Sequence, residues 1–320
     1  MERYISGLVS VVIPTYKRCD SLVRAVESVL GQTYEHTEVI VVNDNVPGDE
    51  YSLQLYEEIK KINDKRFVFL EQEKHINGAA ARNCGIRAAK GEYIAFLDDD
   101  DYWLPEKLER HIEAFKHLGE EYGIVSSLVT RNKDDNLIMA VPPYKSGYIL
   151  REIMQRTVDL STIAVVIRRK ALDDTGYFDE KLLRHQDIQL FTCLTSKYKV
   201  YLLKEYLQVI NVDDGINRPS SDKVMSIKAA YYESVAEIMN TLTKKQKNKI
   251  LILNKFEYAA ILLKEKKYKQ FFSAALGIFR YPSTFFAALK RIFTRMLGTK
   301  FRNHYVKKYK PGKIKFDEVK

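Results

Sequence analysis

Cysteine is scarce in this chain: Cys19, Cys84 and Cys193 are odd in number and far apart. They make neither a disulfide framework nor a Cys-x-x-Cys metal spacing, which excludes a stapled secreted scaffold and points to a reducing compartment. No run of about 20 apolar residues occurs, and the opening MERYISGLVSVVIP lacks a basic segment followed by an apolar run and a cleavage site. The expectation is a chain that neither spans a membrane nor is exported by a signal peptide. Glycine and proline are few, 14 and 8 in 320 residues, so collagen-like and low-complexity classes fall away. Acidic residues are missing from one long stretch: residues 266–316 hold 14 Lys or Arg and no Asp or Glu. With +10 on the whole chain, the remainder carries −4, so the basicity is regional. A mildly acidic body with a basic C-terminal segment predicts contact between that segment and an anionic surface.

What is present is an ordinary globular composition, 46% hydrophobic, 12% aromatic and 29% charged, with enough apolar material for a sizeable core. The length predicts two structural units, since single cores stop growing at roughly 250 to 300 residues. Short β-branched runs at 9–13, 38–42, 66–70, 93–97 and 123–129 alternate with segments of helical period at 21–30, 51–62, 79–89 and 105–118. That alternation predicts a mostly parallel sheet with helices on its faces. Runs such as VSVVI and EVIVV are apolar on both faces of a strand, as burial between two helical layers requires. Leu22, Val23, Val26, Val29 and Leu30 form one helical stripe, with Asp20 placed to cap it and Gly31 to end it. From 134 to 213 the pattern is less regular and predicts an α+β extension: helix 147–156, strand 162–167, helix 187–196, strands 199–203 and 207–212. A polar stretch at 216–222 containing Pro219 reads as a linker, and helices are expected at 223–242, 244–264, 268–279 and 283–297.

The strongest chemical signal is Asp98-Asp99-Asp100-Asp101, directly after the apolar run YIAFL. Four adjacent carboxylates repel one another, and a divalent ion such as Mg²⁺ or Mn²⁺ bridged to phosphate oxygens relieves that repulsion; a solvated acidic loop is the alternative. Asp44 follows the run EVIVV and is either a turn former or a second acidic group at the same edge, because ligands of open α/β sheets bind beyond the carboxyl ends of strands. Pro14-Thr15-Tyr16-Lys17-Arg18 follows the first strand and adds a hydroxyl, an aromatic face and two cations. In NGAAARNCG, residues 77–85, small residues open a helix whose N-terminus can face an anion. Trp103, the single tryptophan, either stacks on a sugar face or packs in the core. His75, His111 and His117 show no metal spacing and are expected at the surface, Cys84 is expected to pack, and Asp213-Asp214 reads as a plain loop.

In order along the chain, SVVIPTYKR, SLVRAVESVLGQTYEHTEVIVVND, NGAAARNCGI, GEYIAFLDDDDYWLPEKL and GYFDEKLLRHQDIQL resemble a family 2 glycosyltransferase of the GT-A fold, over about residues 9–212. The resemblance implies a Rossmann-like, mostly parallel α/β sheet flanked by helices: a GT-A domain over 1–220, with nucleotide-sugar binding over about 1–130 and acceptor binding and catalysis over 131–220. Residues 221–320 form a helical, basic extension in that reading. It also implies inverting transfer of a sugar from a nucleoside diphosphate sugar, with Mn²⁺ or Mg²⁺ as cofactor. Matched by position, Pro14, Thr15, Tyr16 and Arg18 resemble part of the nucleotide pocket, Asp44 the carboxylate that accepts from the base, and Arg82 the cation near the diphosphate. Asp98 and Asp100 match the metal-binding Asp-x-Asp pattern, with Asp99 at the ribose or at the variable position between them. Asp187 matches the general base; Trp103, His185 and Gln186 are candidates for the acceptor side. Lys17 stands where Asn is usual and Gln186 where an acid is usual.

Residues 283–297 place Phe285, Phe286, Leu289, Ile292, Phe293, Met296 and Leu297 among Lys290, Arg291 and Arg295, a composition suited to the interface of an anionic membrane; packing on the catalytic domain is the alternative. No nucleic-acid recognition module is recognisable, so nucleic acid is not expected as a partner. The expected protein is a cytoplasmic enzyme, peripheral on the cytoplasmic face of a membrane, that takes a nucleoside diphosphate sugar, best a UDP-sugar, and a glycan or lipid-linked glycan acceptor in surface polysaccharide biosynthesis. A sugar nucleotidyltransferase is disfavoured because residues 14–18 contain no glycine. A non-catalytic nucleotide- or glycan-binding module held at a membrane by the tail is the alternative.

Overall fold

The structure is a computed structural model that describes residues 4–19, 21–133, 136–139, 145–211 and 220–276. Four parallel strands form its first half: β1 (Ile5–Thr15), β2 (Thr37–Asn43), β3 (Phe67–Glu71) and β4 (Gly91–Phe96). Between and beyond them run α1 (Leu22–Leu30), α2 (Glu50–Ile59), α3 (Gly78–Ala88), β5 (Tyr102–Trp103) and α4 (Lys107–Lys116). The second half contains β6 (Tyr122–Lys133), β7 (Asn136–Met139), α5 (Leu150–Met154), β8 (Val165–Arg168), α6 (Arg169–Thr175), α7 (Gln186–Lys197) and β9 (Lys199–Asn211). Helices α8 (Ser221–Ser234), α9 (Ala236–Asn240), α10 (Lys244–Lys264) and α11 (Tyr268–Leu276) follow.

Among the described residues the strands join one nine-stranded sheet, ordered β3-β2-β1-β4-β8-β6-β9-β5 with β7 on β6. Strands β5, β7 and β8 run against the other six. Alternation along each strand divides the core in two. Val12, Ile40 and Ile94 face the layer that holds Ile86, Leu172 and Leu190, while Val11, Val39 and Ala95 face the layer that holds Leu22, Leu55 and Leu108. Both faces are covered, which is why these strands read as apolar throughout. The mostly parallel α/β sheet inferred from the sequence is the observed one.

The departures have local causes. Strand β9 is continuous where two strands were expected, because Lys204-Glu205 interrupts the apolar pattern; Glu205 is buried and satisfied by Arg110 Nε and Nη2 at 2.9 and 2.8 Å. Strand β5 is too short for any periodicity to reveal. The helix expected at 223–242 is broken at Val235 into α8 and α9. Helix α1 starts after Ser21, whose side chain makes no cap, and Asp20 lies outside the described residues; Gly31 closes the helix with its N–H on Glu27 O at 2.8 Å. Residues 216–219 of the expected linker, Asp213-Asp214 and the expected helix 283–297 also lie outside the described residues, while Ser221 and Asp222 of that linker open α8. The described C-terminal helices share the first core layer through Tyr231, Val235 and Ile250.

Candidate active site

Because β1, β2 and β4 run parallel, their carboxyl ends lie on one edge, and the loops that leave them carry the charged motifs. The chain winds from β1 outward to β3 and returns to β4 on the other side of β1, so the winding reverses between β1 and β4. A crevice opens at such a reversal. Thr15 ends β1, Asp44 follows β2 and donates its N–H to Thr15 O at 2.9 Å, and Asp98–Asp101 follow β4.

The four aspartates alternate. Asp98 and Asp100 have side chains 36% and 28% exposed, while Asp99 and Asp101 are buried. Each outward carboxylate is paired with an arginine: Asp98 with Arg82 Nη2 at 2.5 Å, Asp100 with Arg18 Nη1. Arg24 donates to Asp100 O at 2.8 Å. Burial pushes Asp99 up to about 7, with the Asp100 charge adding to the effect and a Thr15 hydrogen bond opposing it. Burial likewise pushes Asp101 up to about 8, reinforced by Asp98 and Asp100, although the Asn211 N–H donates to its Oδ1 at 2.8 Å. Asp99 is buried beside Thr15 and Arg18, whose Nη1 lies 3.7 Å from its Oδ1.

Asp44 is 2% exposed and accepts from Gln72 Nε2 at 2.6 Å and Ile76 N at 3.2 Å on one oxygen and from His75 Nδ1 at 2.9 Å on the other. Burial raises its pKa; the Ile76 N–H and His75 work against that rise. The His75 ring stacks on Tyr16, centroids 4.0 Å apart and planes 15° from parallel. His75 is exposed, as expected, and stands against Asp44 and Tyr16; a lone histidine after a lysine carries no signal of those neighbours. Lys17, at φ 55, donates its N–H to Asn45 Oδ1 at 2.8 Å, between Tyr16, which stacks on His75, and Arg18, which pairs with Asp100.

Helix α3 ties the two halves of the site together. Asn77 caps it by accepting from Ala79 N and Ala80 N, so two of the N–H groups that an anion would use are already taken. The Nδ2 of Asn77 reaches Glu180 O at 2.9 Å, and Asn83 holds Phe178 O at 2.9 Å and Glu180 Oε1 at 2.8 Å. Arg82, on the same helix, lies 5.7 Å from the Phe178 ring centre. These bonds fasten the loop before α7, and α7 carries Gln186 and a half-buried Asp187 in its first turn. His185 precedes it in the left-handed region, φ 64, with its ring edge-on to Tyr231. The Nε2 of Gln186 turns back to Leu182 O at 2.5 Å.

Trp103 is 3% exposed, its indole N–H donates to Ile163 O at 3.1 Å and Lys107 Nζ lies over its ring at 4.9 Å. It is a core residue, which removes it from the acceptor side. His111 is fully buried, contrary to the surface expectation, with Nδ1 2.7 Å from Lys107 O; Cys84 packs against the first core layer. Among the described residues no three His, Cys, Asp or Glu side chains converge as a metal cage. Two partly exposed carboxylates, Asp98 and Asp100, still fit Mg²⁺ or Mn²⁺, ions that a protein holds through one or two carboxylates while substrate phosphates and water complete the octahedron.

Similar proteins bear on the family and the fold. The chain is 28% identical over 226 residues to an uncharacterised glycosyltransferase of Methanocaldococcus jannaschii, covering 68% of this chain and 77% of that one. It is 40% identical over 105 residues, 33% of this chain and 40% of the relative, to the UDP-Glc:alpha-D-GlcNAc-diphosphoundecaprenol beta-1,3-glucosyltransferase WfaP of Escherichia coli. In solved structures the fold matches S. aureus TarS 1-349 in complex with UDP-GlcNAc at TM-score 0.62 and 18% identity, covering 89% of this chain and 80% of that one. It also matches the mannosyltransferase PcManGT of Pyrobaculum calidifontis in complex with GDP-Man and Mn²⁺ at TM-score 0.56 and 17% identity, covering 91% and 87%. The fold is thus that of the GT-A glycosyltransferases. The model of the family described as Glycosyl transferase family 2 matches residues 10–176, from β1 past the acidic run to α6, and the chain belongs to that family.

Proposed function

We propose that this protein transfers a sugar, with inversion, from a nucleoside diphosphate sugar, best a UDP-sugar, to a hydroxyl of a glycan or lipid-linked glycan in surface polysaccharide assembly. The observation that carries the reading is the alternation of the acidic run, which turns Asp98 and Asp100 to the crevice beside Arg82 and Arg18 and Asp99 and Asp101 inward. In this reading Pro14, Thr15, Tyr16 and Arg18 wall the nucleotide, and Asp44 accepts from the base. Asp98 and Asp100 hold a divalent ion, which when bound supplies positive charge to the leaving diphosphate. Arg82 and Arg18 add fixed cations at the same place. Inversion in one displacement needs a base on the sugar face opposite the leaving group, and Asp187 takes the proton of the acceptor hydroxyl there. Gln186 stands in place of an acid beside Asp187. His185 and Gln186 flank the acceptor.

The reading includes contact with the cytoplasmic face of an anionic membrane. Tyr268 and Phe272, one turn apart on α11, are 55% and 64% exposed beside exposed Lys266 and Lys269, at the start of the basic segment. No helix among the described residues is long and apolar enough to cross a membrane.

The test is a donor panel of UDP-, GDP- and dTDP-sugars with Mn²⁺ or Mg²⁺, comparing the wild type, Asp187→Asn and the pair Asp98→Ala with Asp100→Ala. Wild type turns over one donor; Asp187→Asn loses turnover by about 10³-fold or more with UDP affinity unchanged; the double variant loses metal-dependent nucleotide binding. Undiminished turnover in Asp187→Asn removes that residue from the mechanism.

A further inference from the structure

Three groups meet beside β2 that no motif joined: the Tyr16 ring, the Asp44 carboxylate and the His75 ring. The His75 ring lies parallel to Tyr16 at 4.0 Å, the spacing of one aromatic layer on another, and its Nδ1 is 2.9 Å from Asp44 Oδ2 and 3.1 Å from Asp44 O. Both neighbours of Nδ1 are oxygen acceptors, so this nitrogen carries the proton and donates. The other Asp44 oxygen is already held by Gln72 Nε2 and Ile76 N. A flat heterocycle with a ring N–H therefore occupies the aromatic face and the one carboxylate oxygen that neither Gln72 nor the Ile76 N–H uses.

We propose that His75 holds the nucleobase position in the nucleotide-free protein, competes with the incoming base for Tyr16 and Asp44, and must leave for the nucleotide to bind. The proposal rests on the reading of Asp44 as the acceptor for the base. A base cannot enter between rings 4.0 Å apart, since two stacked layers need about twice that separation. His75 Nδ1 also takes one of the two acceptor positions of Oδ2, on the side where the Tyr16 ring faces. Residues 72–77 link β3 to α3 with no regular structure, and the His75 side chain is 37% exposed, so the ring has a path out to solvent. A base that carries a ring N–H, as uracil, thymine and guanine do, replaces both contacts that His75 gives up. A base without one leaves a buried carboxylate short of a donor. The free-state fraction with His75 withdrawn then sets the apparent nucleotide affinity, as for any ligand that binds a minor conformer.

Calorimetric titration of the full chain with UDP in the presence of Mg²⁺ tests this, using wild type, His75→Ala, His75→Phe and Asp44→Asn, with thermal unfolding to show that each is folded. His75→Ala is expected to bind UDP about tenfold more tightly than wild type, the equivalent of one lost charge-assisted hydrogen bond. His75→Phe keeps a ring on Tyr16 but cannot reach Asp44, and its affinity falls between the two. Unchanged or weaker binding by His75→Ala, with Asp44→Asn impaired, overturns the competition and makes His75 a wall of the pocket while the base still sits at Asp44. Wild-type affinity in Asp44→Asn overturns the base position as well, and with it that part of the proposed function.

Discussion

Lys107 is a charged residue type in a place without water. It is fully buried in α4, its Nζ donates to Gln208 Oε1 at 3.1 Å, and burial holds its pKa well below the usual value. The folded state therefore favours neutral Lys107, whereas the unfolded chain binds a proton up to about pH 10.5. Between those two values the unfolded state carries more protons, so this contribution to stability grows as pH rises and levels off near the unfolded value. Lys107→Met removes the penalty and leaves Gln208 Oε1 with the Ser127 hydroxyl at 2.9 Å. We expect it to raise stability by about 1 to 3 kcal/mol at pH 7, with the gain shrinking toward pH 10. Thermal unfolding of both proteins across that range checks it; a pH-independent difference shows that Lys107 does not titrate on unfolding. The same residue explains why His111 was misread and Trp103 was left open between the core and a sugar face. Their side chains belong to one buried cluster whose members come from α4, β5 and β9, and nothing in the local sequence links them.

At the scale of elements, α3 joins the donor edge to the loop that precedes α7, the helix that carries Asp187. A Cβ on Gly85 would lie 2.4 Å from Val12 Cγ1, closer than packed carbons approach, so glycine lets α3 rest on β1. Gly85→Ala is expected to cost about 1 to 3 kcal/mol and Val12→Ala, added to it, to restore part of the loss, as measured by denaturant unfolding. Additive losses in the double variant refute the contact. The existence of α3 and β1 was legible from periodicity, and the place of the acidic run beyond a strand end from the apolar run before it. Periodicity did not reveal which aspartates face outward, because a turn of four identical residues carries no pattern; their exposure in the fold distinguishes Asp98 and Asp100 from Asp99 and Asp101. The N-terminus of α3 was read as open to an anion, yet Asn77 caps it, a use of the same residue that the sequence equally allowed.

Over the whole molecule, charge is segregated: residues 266–316 carry +14 against −4 elsewhere. If that segment meets anionic lipid, the full-length protein sediments with anionic vesicles at low salt, stays soluble with neutral ones, and is released as salt shortens the Debye length below about 10 Å. Failure to sediment with anionic vesicles at low salt refutes membrane contact. Lys267 already shows a different use of that charge, bridging Asp222 at 3.1 Å and Glu265 at 3.0 Å to fasten α11 against the start of α8. By itself the sequence determined the layered parallel sheet, the edge on which its charged loops open and the family, since each rests on short-range periodicity or on motifs a few residues long. Tertiary structure alone decided which carboxylates reach solvent, that Trp103 is core and that His75 covers Asp44. Burial and pairing across residues 16 to 110 apart depend on where the whole chain places its neighbours, and no local pattern encodes that.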